Sequence, residues 1–291
     1  MNIGFHASIA GGLVNAPLEA SALGCTTFQI FSKSPRSWAA GAFSEEEIKL
    51  FKEAIVEKKI YPVVVHTSYL INLASEEKLL LEKSIKAFAL EINRAEDIGA
   101  DYITTHIGSC GDCDKNDRFP VILKSIQEAV KLSGTSKVGV LFENSGRKAS
   151  PGGEFKDLAF LVKKCGNRFG ITLDTCHAFV AGYDVRVKKV LDECIAEAES
   201  IAGAGVIKVI HLNDSKGELG SGLDRHEHLG KGEIGKKGIA ETINHPKLKG
   251  LPFILETPKE PEGADKRNIA FARAVGKVGK ESTKYEVQGT K

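Results

Sequence analysis

A short apolar segment followed by a helical pattern recurs eight times along the chain, and this alternation limits the folds available to it. The segments are rich in Val, Ile, Thr and Phe and mostly apolar throughout, which is typical of strands covered on both faces. They span residues 3–8, 27–32, 62–67, 102–107, 138–144, 170–175, 206–213 and 253–257. Eight β-then-α units with short connections predict a closed parallel (β/α)8 barrel, a TIM barrel. An open, doubly wound sheet is the alternative, because periodicity does not reveal closure.

Helical patterns fill the intervals between these segments. Ser44 followed by three glutamates is typical of a capped helix with negative charge in its first turn. Further helices are predicted over residues 75–98, 118–132, 154–164, 185–202, 236–243 and 264–275. Because no linker divides the chain, we expect one domain over residues 1–279 and a loose polar tail over residues 280–291.

Composition narrows the class of protein further. Hydrophobic residues make up 42% of the 291 residues, enough for one large core. The amino-terminal sequence lacks the charged and apolar regions of a secretory signal. No apolar run approaches the roughly 20 residues needed to cross a bilayer. We therefore expect a cytoplasmic protein, and the formal net charge of +2 argues neither for nor against a nucleic-acid partner.

The six cysteines are too dispersed to form a disulfide framework. Reduced thiols in a reducing compartment are therefore the expectation. The spacing Cys110-x-x-Cys113 occurs in redox and metal motifs, but here it stands alone in a loop. We interpret these two cysteines as incidental loop thiols.

Six consecutive strand candidates end in an imidazole or a carboxylate. In chain order, the ionisable residues at these ends are His66, His106, Glu143, Asp174 with His177 just beyond it, His211 and Glu256. In a barrel, the carboxyl ends of the strands meet at one mouth, where active sites form. One histidine there is more often a hydrogen-bonded core residue. Three carboxylates gathered in a low-dielectric mouth would cost several kcal/mol each without cations, so the pattern predicts divalent metal ions.

The glycine-rich segment after the seventh strand, residues 211–235, adds further candidate ligands. It contains Asp214, Asp224, His226 and His228 in a loop whose glycines allow tight folding, although many such loops are only solvated connections. With Asp224 and His226, the candidate ligands comprise five histidines and four carboxylates. A zinc site takes about four ligands, so nine candidates favour a cluster of three ions.

Three segments carry a resemblance to a known family. They are HTSYLINL at residues 66–73, LDTCHAFVAGYD at residues 173–184, and the 211–235 segment. With them, the chain resembles the endonuclease IV family of apurinic/apyrimidinic (AP) endonucleases over nearly its whole length. The resemblance implies a TIM barrel with three zinc ions that cleaves DNA on the 5′ side of abasic sites. The residues that match the family's ligand positions are His66, His106, Glu143, Asp174, His177, His211, Asp224, His226 and Glu256.

The resemblance also implies how these ligands divide among the ions. Glu143 would bridge two ions, one of them also held by His66 and His106. The second ion would be held by Asp174, His211 and Glu256, and the third by His177, Asp224 and His226. We expect in-line attack by a metal-bound hydroxide, with Glu143 and Glu256 as catalytic ligands, leaving a 3′-hydroxyl and a 5′-deoxyribose phosphate. Whether zinc or manganese fills each site stays open.

The expected partner is double-stranded DNA containing an abasic site, bound by a monomer. Arg36, Tyr69 and Leu70 match family positions that push into the duplex, and Arg225 is a fourth DNA-binding candidate. Three zinc ions would raise the formal charge to about +8 and place the added charge at one face. The loops there also carry cations at Lys33, Arg36, Arg147, Lys148, Arg186, Lys216, Arg225, Lys231 and Lys259.

Two positions depart from the family pattern. Where the family commonly has His-Pro-Gly-Ser-His after the fourth strand, this chain has His106-Ile-Gly-Ser-Cys110. The ligand position is kept, but the shape of the loop is open. Thr67 stands where relatives often have an aspartate, which removes one acceptor that could support a ligand.

Two other functions compete with this interpretation. A metal-dependent sugar isomerase or epimerase also places histidines and carboxylates at barrel strand ends, but needs about four or five ligands around one or two ions. Asp224, His226 and the basic loops exceed that need. A DNA-binding protein without catalysis would be expected to have a broken ligand set. His6 and His228 are interpreted as supporting or structural residues, and His245 as a surface loop residue.

Overall fold

The computed structural model describes residues 1–111 and 113–285, with side chains up to residue 276, and its centre is a ring of eight parallel strands. The strands, including a short hairpin of β8 and β9, are β1 (Asn2–Phe5), β2 (Phe28–Phe31), β3 (Val63–His66), β4 (Tyr102–His106), β5 (Gly139–Glu143), β6 (Phe169–Asp174), β7 (Ile207–His211), β8 (Asp214–Ser215), β9 (His226–Glu227) and β10 (Pro252–Leu255). Neighbours in the ring follow the order β1–β10–β7–β6–β5–β4–β3–β2.

The ring closes between β1 and β2. A parallel bridge pairs His6 with Gln29, and the backbone N–H of Ala7 donates to the Gln29 carbonyl at 2.8 Å. Gly4 lies where β1 passes closest to its neighbour, since a Cβ there would lie 1.8 Å from the carbonyl oxygen of Thr27. The predicted single-domain (β/α)8 TIM barrel is therefore confirmed, and the open doubly wound sheet is excluded.

Helices follow the strands around the barrel. They are α1 (Asn15–Ala22), α2 (Glu45–Lys58), α3 (Lys78–Asp97), α4 (Lys115–Ser133), α5 (Phe155–Cys165), α6 (Thr175–Val180), α7 (Lys188–Ala202), α8 (Gly235–Asn244) and α9 (Ala264–Tyr285). The predicted cap of α2 is present as a capping box: Ser44 Oγ accepts from the Glu47 N–H at 3.2 Å, and the Glu47 carboxylate accepts from the Ser44 N–H at 2.9 Å.

The last helix is longer than its sequence pattern indicates. α9 continues beyond residue 275 to Tyr285, so the boundary expected after residue 279 falls inside a helix. The backbone of residues 280–285 belongs to α9, and the rest of the expected tail, residues 286–291, lies outside the described residues. Among the described residues, no helix is both long and apolar enough to cross a lipid bilayer.

Side chains inside the barrel stack in layers contributed by alternate strands. One apolar layer comes from β3, β5, β7 and β10 and consists of Val64, Leu141, Val209 and Ile254. Above it, Thr104 of β4 and Thr172 of β6 meet with their hydroxyl oxygens 2.9 Å apart. Because side chains alternate along a strand with a period of two, the residues two positions further along these strands point into the mouth.

The cysteines differ in part from the prediction. Cys110 and Cys113 form a disulfide, with their Cα atoms 5.6 Å apart, so the prediction of two reduced loop thiols is wrong. The free thiols elsewhere are largely buried, and burial raises the pKa of each to about 12, which keeps it protonated and unreactive near neutral pH. They belong to Cys25, Cys165, Cys176 and Cys194.

Candidate metal centre

The polar side chains in the mouth continue the layers beneath them. The residues two positions beyond the apolar layer and the threonine pair are, in strand order, His66, His106, Glu143, Asp174, His211 and Glu256. The structure thus brings all six predicted strand ends together. His177 lies on α6 directly after β6, and Asp224 and His226 come from the loop and short strand after β7.

Glu143 is buried at the centre of this group and faces four imidazoles. Its Oε2 lies 3.0 Å from His66 Nε2 and 3.4 Å from His106 Nε2. Its Oε1 lies 2.9 Å from His211 Nδ1 and 3.3 Å from His177 Nδ1. Oε2 thus faces His66 and His106 and Oε1 faces His211, which is the arrangement of a carboxylate that bridges two cations. His177 Nδ1 also lies 3.0 Å from the Asn144 carbonyl oxygen, so this nitrogen carries a proton.

The outward nitrogens of three rings are held by oxygens that can only accept a hydrogen bond. His66 Nδ1 lies 2.8 Å from the carbonyl oxygen of the next residue, and His226 Nδ1 lies 3.1 Å from that of Glu256. His211 Nε2 lies 2.8 Å from the Gln29 side-chain oxygen. Each of these nitrogens therefore carries the proton, and in a neutral ring the opposite nitrogen presents a lone pair to the carboxylates. The lone pair and the negatively charged carboxylate oxygen repel each other unless a cation lies between them. Ring nitrogens oriented in this way by an acceptor on the other side are typical of metal ligands.

Asp224 meets two histidines on the outer side of the group. Its Oδ1 lies 3.2 Å from His177 Nε2 and 3.7 Å from His226 Nε2, and its side chain is 56% exposed. His226 Nε2 is buried without a hydrogen-bond partner among the described residues, and it also lies 3.7 Å from Asp174 Oδ2. A buried nitrogen without a partner is costly, so this atom fits a site in which it donates a lone pair to an ion.

Donor atoms within 4.8 Å of one another form several groups that could hold an ion. They are His66 with His106 and Glu143; Glu143 with Asp174, His211 and Glu256; Asp174 with His177 and His226; and Cys176 with Asp224 and His226. The first two coincide with two of the three ligand groups that the family resemblance implies. The expected third group, His177 with Asp224 and His226, is not found as one set. His226 is grouped with His177 and Asp174 in one set and with Asp224 and Cys176 in the other.

Charge in the mouth is set by burial acting against carboxylate–imidazole contacts. Burial disfavours the charged form of His211, but the Glu143 and Glu256 carboxylates raise its pKa to about 9. Burial likewise disfavours the ionised form of Glu143, yet His106 and His211 hold its pKa well below its ordinary value. The pKa of Asp224 falls to about 2, because the histidines around it outweigh its burial. Glu143 and Asp224 are therefore ionised, and both face histidine nitrogens, the other type of group that binds zinc-like cations.

Three side-chain amides that the sequence did not single out orient the candidate ligands. Gln29 Nε2 donates to Glu256 Oε1 at 2.6 Å, and Asn213 Nδ2 donates to Asp174 Oδ2 at 2.7 Å. The Asn144 side-chain oxygen accepts from the Asp174 backbone N–H at 2.8 Å. The sequence feature that could have identified them is a neutral amide inside or at the end of an apolar strand. An unpaired polar group there would be costly, so such an amide is expected to have a hydrogen-bond partner.

A cavity of about 590 Å³ opens above the centre. Of the predicted DNA-binding residues, Tyr69 and Arg225 line it, with the Tyr69 side chain largely exposed. Arg36 is exposed on the β2–α2 loop, and Leu70 is half-buried on the β3–α3 loop. Lys33 differs from the expectation of a surface cation, since it is only 8% exposed and its Nζ lies 3.2 Å from Glu91 Oε1.

The structure shows how the chain accommodates its two departures from the family pattern, at Thr67 and in the loop after β4. The backbone carbonyl of Thr67 accepts from His66 Nδ1 at 2.8 Å, so this nitrogen has an acceptor without a carboxylate at position 67. After β4, Asn72 holds the loop, donating to the Ser109 carbonyl at 2.8 Å and accepting from the Ser109 N–H at 3.1 Å. Gly108 adopts φ +98° and a Cβ there would lie 2.1 Å from Asn72 Oδ1, so this close approach requires glycine.

The remaining histidines have separate roles. His6 lines the cavity, and its Nδ1 lies 3.0 Å from Gln29 Nε2 and 3.6 Å from Glu256 Oε1. His228 lies 2.8 Å from the Glu260 carbonyl through Nε2, which fits its interpretation as structural. His245 was expected on the surface, but its side chain is buried at the end of α8, with Nε2 3.0 Å from Asp192 Oδ1.

Comparison with known proteins agrees with this architecture. Residues 17–275 match the family described as the xylose isomerase-like TIM barrel, AP_endonuc_2. A probable endonuclease 4 from Halothermothrix orenii is 46% identical over 265 residues, covering 89% of this chain and 94% of that protein. An apurinic-apyrimidinic endonuclease from Caenorhabditis elegans is 40% identical over 267 residues, covering 89% of this chain and 67% of that protein.

Among solved structures, one is similar to this chain in both sequence and fold, and another is similar in fold alone. Endonuclease IV from Thermus thermophilus superposes with a TM-score of 0.85 at 38% identity, covering 96% of this chain and all of that one. A D-tagatose 3-epimerase-like protein reaches a TM-score of 0.73 at 18% identity, which is a likeness in fold alone. The chain belongs to the endonuclease IV family of AP endonucleases, within the xylose isomerase-like TIM barrels.

Proposed function

We propose that this protein is a zinc-dependent AP endonuclease that hydrolyses the DNA phosphodiester on the 5′ side of an abasic site, leaving a 3′-hydroxyl and a 5′-deoxyribose phosphate. The observation that carries the proposal is the convergence of five histidines and four carboxylates on one barrel mouth, with a buried Glu143 facing four ring nitrogens. The names of relatives at 40–46% identity supply the reaction class.

Three zinc ions are the proposed cofactor set. The first would be held by His66, His106 and Glu143, and the second by Glu143, Asp174, His211 and Glu256. The third would be held by His177, Asp224 and His226. Zinc supplies Lewis acidity, which makes water nucleophilic at neutral pH and offsets the charge on phosphate oxygens.

The chain's own residues prepare the site for that chemistry. Glu143 and Glu256, the proposed catalytic ligands, stay ionised because imidazoles surround them, and both pKa values lie well below the ordinary value despite burial. Gln29 and Asn213 fix the rotation of Glu256, donating to its two carboxylate oxygens at 2.6 and 3.4 Å. Because the apolar layer beneath this group is fully packed, the substrate approaches from the cavity side only.

Double-stranded DNA containing an abasic site is the proposed substrate, bound by a monomer in the cytoplasm. Arg36, Tyr69, Leu70 and Arg225 are the proposed contacts. An abasic site offers no base edge to read, so recognition must use the missing stack and the easy bending of the duplex. The exposed ring of Tyr69 at the rim of the cavity is suited to fill such a gap.

A sugar isomerase or epimerase is the weaker alternative. Sugar epimerases share the fold at low identity, which carries no information on reaction. Asp224 and His226 complete a third group of ligands that a site of one or two ions does not use. We therefore retain the endonuclease as the proposed function.

The test is cleavage of a synthetic duplex with one abasic site, with an intact duplex as the control. The wild-type protein should cut only the abasic duplex and contain about three zinc ions by elemental analysis. Chelation should abolish cutting. Glu143→Gln should lower kcat/KM more than about hundredfold, since altering even a supporting partner of a ligand can cost that much. Full cleavage activity in metal-free protein would contradict the proposal.

A matched variant separates loss of a ligand from loss of any glutamate. Glu193 lies on α7 with its side chain 63% exposed, near Lys189. Glu193→Gln should leave cleavage and zinc content unchanged. Equal losses in both variants would show that the effect of Glu143→Gln is not specific to the centre.

A further inference from the structure

Helix α3 sends two buried charged side chains to the loops that carry the proposed DNA contacts. Glu91 and Arg94 are three residues apart, hence on the same helix face, and are 1% and 6% exposed. The β2–α2 loop, residues 32–44, carries Arg36, and the β3–α3 loop, residues 67–77, carries Tyr69. Neither buried residue is a candidate metal ligand, and no step of the proposed chemistry uses them.

Glu91 contacts both loops at once. Its carboxylate accepts from the Ser68 backbone N–H at 3.2 and 3.1 Å, directly before Tyr69. It also pairs with Lys33 Nζ at 3.2 Å, and that ammonium donates to the Ser37 carbonyl at 2.5 Å. The carboxylate therefore links the backbone next to Tyr69 with a side chain that spans the loop of Arg36.

The two loops also touch directly at this point. Ser68 Oγ donates to the Pro35 carbonyl at 2.7 Å. Pro35 precedes Arg36 and Ser68 precedes Tyr69, so this bond joins the residues adjacent to two proposed DNA contacts. A shift of Ser68 away from Glu91 would move both contacts.

Arg94 holds the rest of the β2–α2 loop. Its guanidinium donates to Ser32 Oγ at 3.3 Å and to the Gly41 carbonyl at 2.5 Å, near opposite ends of the loop. It also lies 3.8 Å from the centre of the Phe43 ring. With this anchor in place, the position of Arg36 relative to Tyr69 depends on the Lys33–Glu91 pair and on the Ser68–Pro35 bond, whose serine is itself held by Glu91.

We propose that Glu91 is a positioning residue for abasic-site recognition, because its buried contacts to Lys33 and Ser68 fix the Arg36 and Tyr69 loops as one rigid unit. The inference rests on the proposed function and assigns to it a residue away from the metal centre. A buried ion pair gains little stability over apolar packing, because both charges lose their water. Its effect here is to fix the geometry of two loops before the duplex arrives, which reduces the ordering needed on binding.

The test uses Glu91→Gln, which keeps the side-chain size and an acceptor for Ser68 but removes the charge facing Lys33. KM for the abasic duplex should rise about tenfold to hundredfold, because two loops that are no longer fixed must be ordered when the duplex binds, while kcat changes by less than about twofold. Trp38, the only tryptophan in the chain, lies on the Arg36 loop with Lys83 Nζ of α3 4.5 Å from its ring centre. Acrylamide quenching of its fluorescence, measured without DNA, should increase in the variant.

Glu82→Gln on the same helix is the matched control, since Glu82 is 52% exposed and faces Lys78. It should change neither KM nor quenching. If Glu91→Gln does not fold, the double variant Lys33→Met/Glu91→Gln, which leaves no unpaired buried charge, should show the same rise in KM.

Three results would overturn the inference. An unchanged KM in Glu91→Gln, beside an active wild type, overturns it alone. A fall in kcat together with zinc content shows a general structural defect instead of a positioning effect. A wild-type protein that does not cut the abasic duplex overturns the proposed function and this inference together, whatever the quenching result.

Discussion

At the scale of single residues, the candidate ligand side chains are held in their orientations by amides as well as by charged groups. Gln29 donates to Glu256 Oε1 at 2.6 Å while its side-chain oxygen lies 2.8 Å from His211 Nε2. One amide therefore fixes a carboxylate and an imidazole that we propose to share an ion. Asn213 does the same for two carboxylates, donating to Asp174 and Glu256. Such outer partners commonly decide how well a site holds its metal.

Replacing Gln29 with methionine should therefore weaken the centre without removing a ligand. We expect kcat/KM on the abasic duplex to fall about 10- to 100-fold and zinc to be lost at lower chelator concentration. The measurements are steady-state kinetics and zinc content after dialysis against graded chelator. Gln127→Met is the control, since Gln127 is exposed on α4. Unaltered zinc retention in Gln29→Met would contradict the orienting role.

The same residues show which parts of the site could be predicted from the sequence and which could not. The convergence of the six strand-end candidate ligands was predictable because each follows an apolar run, and the carboxyl ends of parallel strands share one mouth. Gln29 was not, since it is a neutral amide between Phe28 and Ile30, and the two candidate ligands that it contacts, Glu256 and His211, lie more than 180 residues away. The buried setting of His245 depends in the same way on Asp192, 53 residues distant. Contacts made only by closing the barrel leave no local pattern.

At the scale of elements, the seam between β1 and β2 is where the barrel depends most on one residue. A Cβ on Gly4 would lie 1.8 Å from the Thr27 carbonyl oxygen, which belongs to backbone and has little freedom to move. The backbone N–H of Thr26 also donates to the Ile3 carbonyl at 3.0 Å, so the strands are held close on both sides of Gly4. The register of the closing seam therefore requires glycine.

Gly4→Ala should lower the free energy of unfolding by about 3 kcal/mol, at the upper end of the usual cost of overpacking. Denaturant unfolding followed by circular dichroism measures this. Gly250→Ala is the control, because a Cβ at Gly250 would meet no atom of the described part of the chain within 4 Å. If the two variants unfold at the same denaturant concentration, β1 and β2 are not in close contact at this seam.

Element boundaries were less predictable than element types. α6 starts directly at the end of β6, and Asp174 acts as its N-cap, with Oδ1 accepting from the His177 N–H at 2.7 Å. One residue thus ends a strand, caps a helix and faces the centre, and a strand pattern reports only the first role. α9 reaches Tyr285 through a polar stretch that lacks the apolar period by which helices are recognised.

At the scale of the whole molecule, the net charge of +2 does not show how many cations face the mouth of the barrel. The cation at Lys33 is internal, and Arg186 is neutralised by Asp184, with Nε 2.7 Å from Oδ1. Fewer side-chain cations therefore face the duplex than the sequence indicates. Bound zinc ions would supply much of the positive potential at the mouth, with Arg225 on the rim of the cavity.

Affinity for the abasic duplex should therefore fall steeply with salt, and Arg225→Gln should make the decline shallower. Each phosphate contact contributes a slope of about −0.9 to the logarithm of the binding constant against the logarithm of salt concentration. Loss of one contact should reduce the slope by about 1 and weaken binding to abasic and intact duplexes alike. Fluorescence anisotropy with a non-hydrolysable linkage at the scissile position measures both. Lys189→Gln is the control, as Lys189 is 84% exposed beside Glu193 on α7, and a slope unchanged in both variants would show that Arg225 does not contact a phosphate.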